Sequence, residues 1–169
     1  EVMVRYLNGE PQMELTRNAD YQIPRYFKAG RIDMGALLAD FQAFWRENSE
    51  IWRKRYEYEE AAPHLVFQAF LQRVINGGGE IIRELALGSR RADICVLYEG
   101  KKYPVELKIF RGEKTIAEGL EQTAAYMDKL GCAEGWLLVF DRGAEKPWNE
   151  KCYMREEAFA GKKITVVGC

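Results

Sequence analysis

Arg91-Ala92-Asp93-Ile94-Cys95-Val96-Leu97-Tyr98, a Glu99-Gly100 turn, and Lys102-Tyr103-Pro104-Val105-Glu106-Leu107-Lys108-Ile109 form the stretch on which the fold turns. Each run is short and rich in β-branched or aromatic residues, and a turn signal separates them, so they read as two strands of a hairpin. In the second run Val105, Leu107 and Ile109 alternate with Glu106 and Lys108, which puts the acid and the lysine together on the opposite face. Asp93 heads the apolar Ile94–Leu97, where a carboxylate is expensive to bury unless it is paired or binds a cation. Alone, Asp93 fits a strand-start residue at the solvent edge, and Glu106 with Lys108 fits an exposed ion pair. Together, an acid on one strand and Glu-x-Lys on its neighbour can hold a divalent metal beside a phosphate. Hard cations such as Mg²⁺ take carboxylate oxygens and keep several waters. A bound metal lowers the pKa of such a water, and a nearby ammonium offsets developing negative charge.

Outward from the hairpin, Glu80–Leu87 reads as a third strand joined by Gly88-Ser89-Arg90, which gives an antiparallel meander. Upstream, Asp33 is a candidate N-cap for a helix carrying Leu37, Leu38, Phe41, Phe44 and Trp45 at helical spacing. Ile51, Trp52 and Tyr56 continue that helical region. A second helix is expected over Glu60–Asn76, with Pro63 in its first turn and Gly77-Gly78-Gly79 stopping it. Downstream, Thr115–Leu130 reads as a helix ending at Gly131. Trp136–Phe140 is a strand apolar enough for burial on both faces. An irregular Asp141–Lys151 loop leads on to a last strand, Lys163–Val167. The order predicts an α/β sandwich with a mixed central β-sheet flanked by helices. Residues 1–30, polar and punctuated by Pro11 and Pro24, are expected to be a linker or the tail of a preceding domain, with the folded domain at 31–169. The chain opens on Glu1 rather than Met, so a larger parent protein is expected.

The balance of 47% hydrophobic and 30% charged residues is that of a globular protein. No apolar run approaches the roughly 20 residues of a membrane span, and no signal peptide is visible. Cys95, Cys132, Cys152 and Cys169 are scattered singly, which argues against a zinc site or a disulfide framework and for a reduced, cytoplasmic protein. Net charge is −1, without the overall basic excess usual for nucleic-acid binders. Between Ile81 and Thr115, however, eight Lys or Arg face five acids, a local tilt that fits either a phosphate-facing patch or a solvated strand surface.

Glu60, Asp93, Glu106-Leu107-Lys108 and Gln122-Thr123-Ala124-Ala125-Tyr126 together resemble the motif series of the PD-(D/E)XK nuclease superfamily. The Gln-x-x-x-Tyr element is similar to that of its RecB-like branch. Ala69–Arg73, Asn76–Glu80, Gly88–Asp93 and Gly119–Asp128 resemble, more narrowly, the nuclease-like domain at the C-terminus of certain prokaryotic AAA-type ATPases. The likeness covers roughly Asp33 to Val167, with Ala92-Asp93 where the family often has Pro-Asp. It implies a restriction-endonuclease-like sandwich that hydrolyses phosphodiester bonds, in DNA above RNA, with Mg²⁺ or Mn²⁺. It implies Asp93 and Glu106 as metal ligands, Lys108 as the catalytic lysine, Glu60 as an accessory ligand, and Gln122 and Tyr126 at the substrate. An N-terminal ATPase domain is the implied partner. The alternative is a non-catalytic module that binds nucleic acid or protein and regulates that ATPase.

The remaining residues carry weaker signals. His64, the single histidine, lies one helical turn after Glu60, so the two can meet at one site; a capping or half-buried position is the simpler reading. Arg90, Arg91, Arg111 and Lys114 flank the hairpin and serve either phosphate or solubility. Trp45, Trp52 and Trp136 fit the core, and Trp148 suits either loop packing or base stacking. No phosphate-cradling Gly-x-x-x-x-Gly-Lys-Ser/Thr is present, and no nucleophile motif accompanies His64.

Overall fold

The structure is a computed structural model that describes residues 26–55, 61–75, 79–87, 90–143 and 146–169; for 49–55, 61, 84–87 and 90–92 it describes the backbone alone. The meander forms as its alternation requires. Strands β3 (Glu80–Leu87), β4 (Arg90–Tyr98) and β5 (Lys101–Ile109) pair antiparallel in sequence order. The β4–β5 turn places Glu99 at φ 48° and Gly100 at φ 72°, the left-handed pair whose twist matches that of flanking strands. Helix α3 (Glu113–Leu130) then carries the chain across to β6 (Glu134–Phe140), parallel to β5. Gly131, left-handed at φ 67°, terminates α3, with its N–H and that of Cys132 returning to Asp128 and Met127 carbonyls. The strand β8 (Lys162–Gly168) lies parallel to β6, and β7 (Met154–Phe159) pairs antiparallel with β8 at the edge. The sheet therefore runs β3-β4-β5-β6-β8-β7.

Two helices cover one face. In α1 (Met34–Arg55), Asp33 caps the first turn by accepting the Ala36 N–H at 3.0 Å. Helix α2 (Ala61–Ile75) follows, with Pro63 in its first turn. Leu37, Phe41, Phe67 and Phe70 from these helices pack on Ile94, Val96, Val105, Leu107, Leu138 and Phe140 to make the larger core. Phe41 anchors it, with the rings of Phe67 and Phe70 edge-on at 4.7 and 5.3 Å. Across the sheet, Ala124 and Met127 of α3 pack on Leu137, Val139, Ile164 and Val166. The result is an α/β fold with a mixed six-stranded sheet between helix layers. No helix among the described residues is long and apolar enough to cross a membrane.

Several sequence expectations are revised here. Residues 26–30 belong to the domain rather than to a tail, because Tyr26 is fully buried and Phe27–Lys28 (β1) pairs with Arg31–Ile32 (β2). The Phe27 ring lies 4.6 Å from that of Tyr98, and the Tyr103 hydroxyl oxygen accepts the Ile32 N–H at 3.0 Å. The loop at 141–151 ends in a short helix, α4 (Trp148–Lys151), and β7 was not foreseen at all. Glu60, Asn76, Gly77-Gly78 and Gly88-Ser89 lie outside the described residues. Trp45 and Trp136 are core residues as expected, Trp148 packs half-buried against the larger core, and the Trp52 side chain is outside the description.

Candidate functional site

Register decides how Asp93 and Glu106 meet. Backbone pairing of β4 with β5 runs from Tyr98 opposite Lys101 to Ile94 opposite Val105. Past that point the Leu107 N–H is received by the Asp93 carboxylate, Oδ2 at 3.0 Å, so a side chain takes the place of a strand partner. Alternation along β5 sends Val105 and Leu107 into the larger core and turns Glu106 and Lys108 to the α3 side. The Asp93 backbone in turn hydrogen-bonds the Glu106 carboxylate. Each acid is thereby held by the main chain of the other's strand.

Glu106 is the unusual member. It is 2% exposed, its Oε1 lies 2.8 Å from Lys108 Nζ, and its Oε2 is buried with no hydrogen-bond partner. Burial, and next the charge of Asp93, push its pKa up to about 7; the Lys108 ammonium and the Asp93 backbone oppose them without prevailing. A buried carboxylate with a free lone pair is costly. A hard cation supplied to Oε2 would remove that cost.

Helix α3 forms the facing wall because two glycines let it approach the sheet. A Cβ on Gly119 would stand 2.6 Å from Leu137, and one on Gly135 would stand 2.7 Å from the Met127 sulfur. Thr123, fully buried between them, donates its hydroxyl to the Gly119 carbonyl at 2.8 Å. This contact aims Glu118, Glu121, Gln122 and Tyr126 into a cleft of about 520 Å³ whose other wall is Asp93, Glu106 and Lys108. Gln122 Oε1 is buried there and, like Glu106 Oε2, has no hydrogen-bond partner. The orphaned Glu106 and Gln122 oxygens and the Asp93 carboxylate, all on one cleft, fit the oxygen-donor preference of Mg²⁺ or Mn²⁺. Among the described residues no group of three or more His, Cys, Asp or Glu side chains converges as a ready-made metal cage.

His64 enters from the other side. It is half-buried in the first turn of α2, and burial lowers its pKa, with the charge of Asp93 raising it and that of Lys108 lowering it. It thus sits in the field of both residues, at the half-buried position expected as the simpler reading, while its meeting with Glu60 lies outside the described residues. Of the sequence candidates, Asp93, Glu106, Lys108, Gln122 and Tyr126 share the cleft. Glu60 and the side chains of Arg90 and Arg91 lie outside the described residues. Arg111 and Lys114 are exposed at the β5–α3 junction and do not line the cleft. Glu118 and Glu121 were not anticipated, although Glu118 stands one helical turn before Gln122 and shares its face.

Among protein-family models, curated protein sequences and solved structures, none matches this chain.

Proposed function

We propose that this domain is a divalent-metal-dependent nuclease of the PD-(D/E)XK type, acting on phosphodiester bonds in DNA above RNA. The observation that carries it is the buried Glu106 carboxylate, laced to Asp93 and Lys108, with its unpartnered oxygen on the cleft that Gln122 and Tyr126 line. The meander into β5, the α3 crossover to a parallel β6 and helices on both faces support a restriction-endonuclease-like sandwich.

Asp93 and Glu106 would hold Mg²⁺ or Mn²⁺, which when bound supplies Lewis-acid charge and a more acidic water. Lys108, fixed beside Glu106, presents an ammonium to the scissile phosphate and orients the attacking water through its N–H donors. The Asp93 bond to the Leu107 N–H keeps its carboxylate from swinging away, so positioning is provided before substrate arrives. Gln122 and Tyr126 on the α3 wall contact the nucleic acid. The domain serves as the C-terminal module of an AAA-type ATPase.

One observation favours a second reading, a non-catalytic module that binds nucleic acid or protein. Among the described residues the cleft offers Asp93, Glu106, Glu118 and Glu121 against Lys108 alone, a surface that repels phosphate until cations neutralise it. Cleavage of labelled single- and double-stranded DNA in Mg²⁺ or Mn²⁺ separates the two. Wild-type turnover lost in Asp93→Ala and Lys108→Ala supports the nuclease. Turnover that survives both substitutions removes the mechanism, and metal-independent binding without cleavage supports the second reading.

A further inference from the structure

Two of the four cysteines are brought face to face by the β7–β8 pairing, far apart though they are in sequence. The register places Met154 opposite Val167, and the next pair outward, Tyr153 and Gly168, is joined by the Gly168 N–H to the Tyr153 carbonyl at 2.9 Å. One step further the same register sets Cys152 opposite Cys169. Cys152 is extended, at φ −86° and ψ 101°. Hydrogen bonding alternates along an antiparallel pair, and the Cys169 N–H turns away to the Val139 carbonyl at 2.8 Å. The two cysteines are therefore a non-hydrogen-bonded pair, whose Cα atoms typically lie about 4.5 Å apart. That separation falls within the roughly 4.4–6.8 Å that disulfides span.

Two further contacts hold the strands at this spacing. Gln42 of α1 donates its Nε2 to both the Tyr153 and Gly168 carbonyls, at 3.1 and 2.5 Å. Gly168 also has no room for a side chain: a Cβ there would stand 2.2 Å from the Lys151 carbonyl oxygen and 2.3 Å from the Tyr153 ring. The segment 151–153 is thus pressed directly on the end of β8. Both thiols lie on the α1 side. Cys169 belongs to the core under α1 and α2, and the charged neighbours of Cys152 are Arg46 of α1 and Lys151.

We propose that Cys152 and Cys169 are a redox modification site that closes to a cross-strand disulfide on reaction with a low-molecular-weight disulfide. Cys152, the half-buried member with cationic neighbours, reacts first. Its thiolate attacks one sulfur of the small disulfide, that bond breaks, and one small thiolate leaves and takes up a proton. The buried Cys169 then loses its proton, and its sulfur attacks the Cys152 sulfur of the mixed disulfide, expelling the second small thiol. Two protein thiols are oxidised, one small disulfide is reduced to two thiols, and the new bond staples the edge hairpin. Cys95 has Cys132 as a neighbour, but in the register Cys95 lies opposite Ile82 and Pro104, and Cys132 belongs to no strand, so strand pairing does not set these two opposite each other.

The test equilibrates the 169-residue protein in a series of glutathione disulfide to glutathione ratios, alkylates residual thiols and maps the peptides by mass spectrometry. The expected result is a single Cys152–Cys169 link with loss of two hydrogens, reversed by excess glutathione, while Cys95 and Cys132 stay alkylatable. Cys169→Ala should stop at a glutathione adduct on Cys152, and the Cys95→Ala/Cys132→Ala double variant should retain the link. A wild-type chain that keeps both thiols free across the series overturns the proposal. So does one that stops at an adduct on Cys152, or that links through Cys95 or Cys132.

Discussion

Replacing Glu106 by Gln should make the metal-free protein more stable at alkaline pH, although it removes an ion pair. In the fold the Glu106 pKa stands at about 7, against 4.5 for an ordinary glutamate. Because the folded state holds this proton more tightly than the unfolded chain, its contribution to stability is fully present below about pH 4.5 and is lost as pH rises through about 7. The difference, at about 1.4 kcal/mol per pH unit, amounts to about 3 kcal/mol above pH 7. That pKa already includes the pull of Lys108 at 2.8 Å, so a neutral amide, which stands in for the protonated acid, escapes the loss with no separate cost for the ion pair. The net gain at pH 8 is then about 3 kcal/mol, or about 6–12 °C in melting temperature for a chain of this size. Thermal or urea melts in EDTA at pH 5, 6, 7 and 8 supply the assay, read as the difference between variant and wild type so that other titrating groups cancel. The difference should be near zero or negative at pH 5 and grow toward pH 8. A difference that stays constant from pH 5 to 8 would refute the reasoning, since Glu106 would then ionise as readily in the fold as outside it.

Asp93→Asn keeps an acceptor for the Leu107 N–H but removes a charge, so its melting temperature should stay within a few degrees while cleavage falls on the order of 10²-fold or more; an unfolded variant or undiminished turnover contradicts this. Asp93→Ala should cost about 1–3 kcal/mol in urea melts in addition, because the Leu107 N–H is left unpaired. Gly119→Ala drives a methyl into Leu137, and denaturant titration should show a loss of about 1–3 kcal/mol together with weaker activity as α3 moves off the sheet. Gln122→Leu removes a buried orphan oxygen, so calorimetry should find the fold unchanged or up to about 1 kcal/mol more stable while fluorescence anisotropy finds weaker DNA binding. Equal losses in both readouts would make Gln122 a merely structural residue.

Much of the meander and its surroundings was legible because strong local signals agreed. Alternation in β5, the left-handed Gly131 stop, the Asp33 cap and the unbroken apolar run of β6 each announced an element that formed. The strand β7 gave no such signal, since Met154-Arg155-Glu156-Glu157-Ala158-Phe159 lies at a sheet edge with only Glu157 and Phe159 half-buried. Its hairpin turns through Ala160-Gly161, and the β1–β2 hairpin through Ala29-Gly30, with both alanines at positive φ. Alanine is not the Asn or Asp that marks such a turn in sequence. At the site, spacing alone put Glu106 beside Lys108 and placed Gln122 one turn from Tyr126. It gave no access to what depends on three-dimensional approach: the Asp93 side chain standing in for a strand partner, the Gly119–Leu137 contact that sets the α3 wall, or the position of His64.

Whether the Asp93–Glu106 pair takes a divalent cation is the claim on which the nuclease reading rests. Titrating Mn²⁺ into the metal-free protein and counting bound ions by electron paramagnetic resonance tests it without any substrate. Wild type should bind an ion that Mg²⁺ displaces and that Asp93→Asn and Glu106→Gln lose, each weakened at least about 10-fold, the loss that even removal of an outer-shell partner of a metal ligand brings. Binding of equal strength in all three proteins would contradict the account.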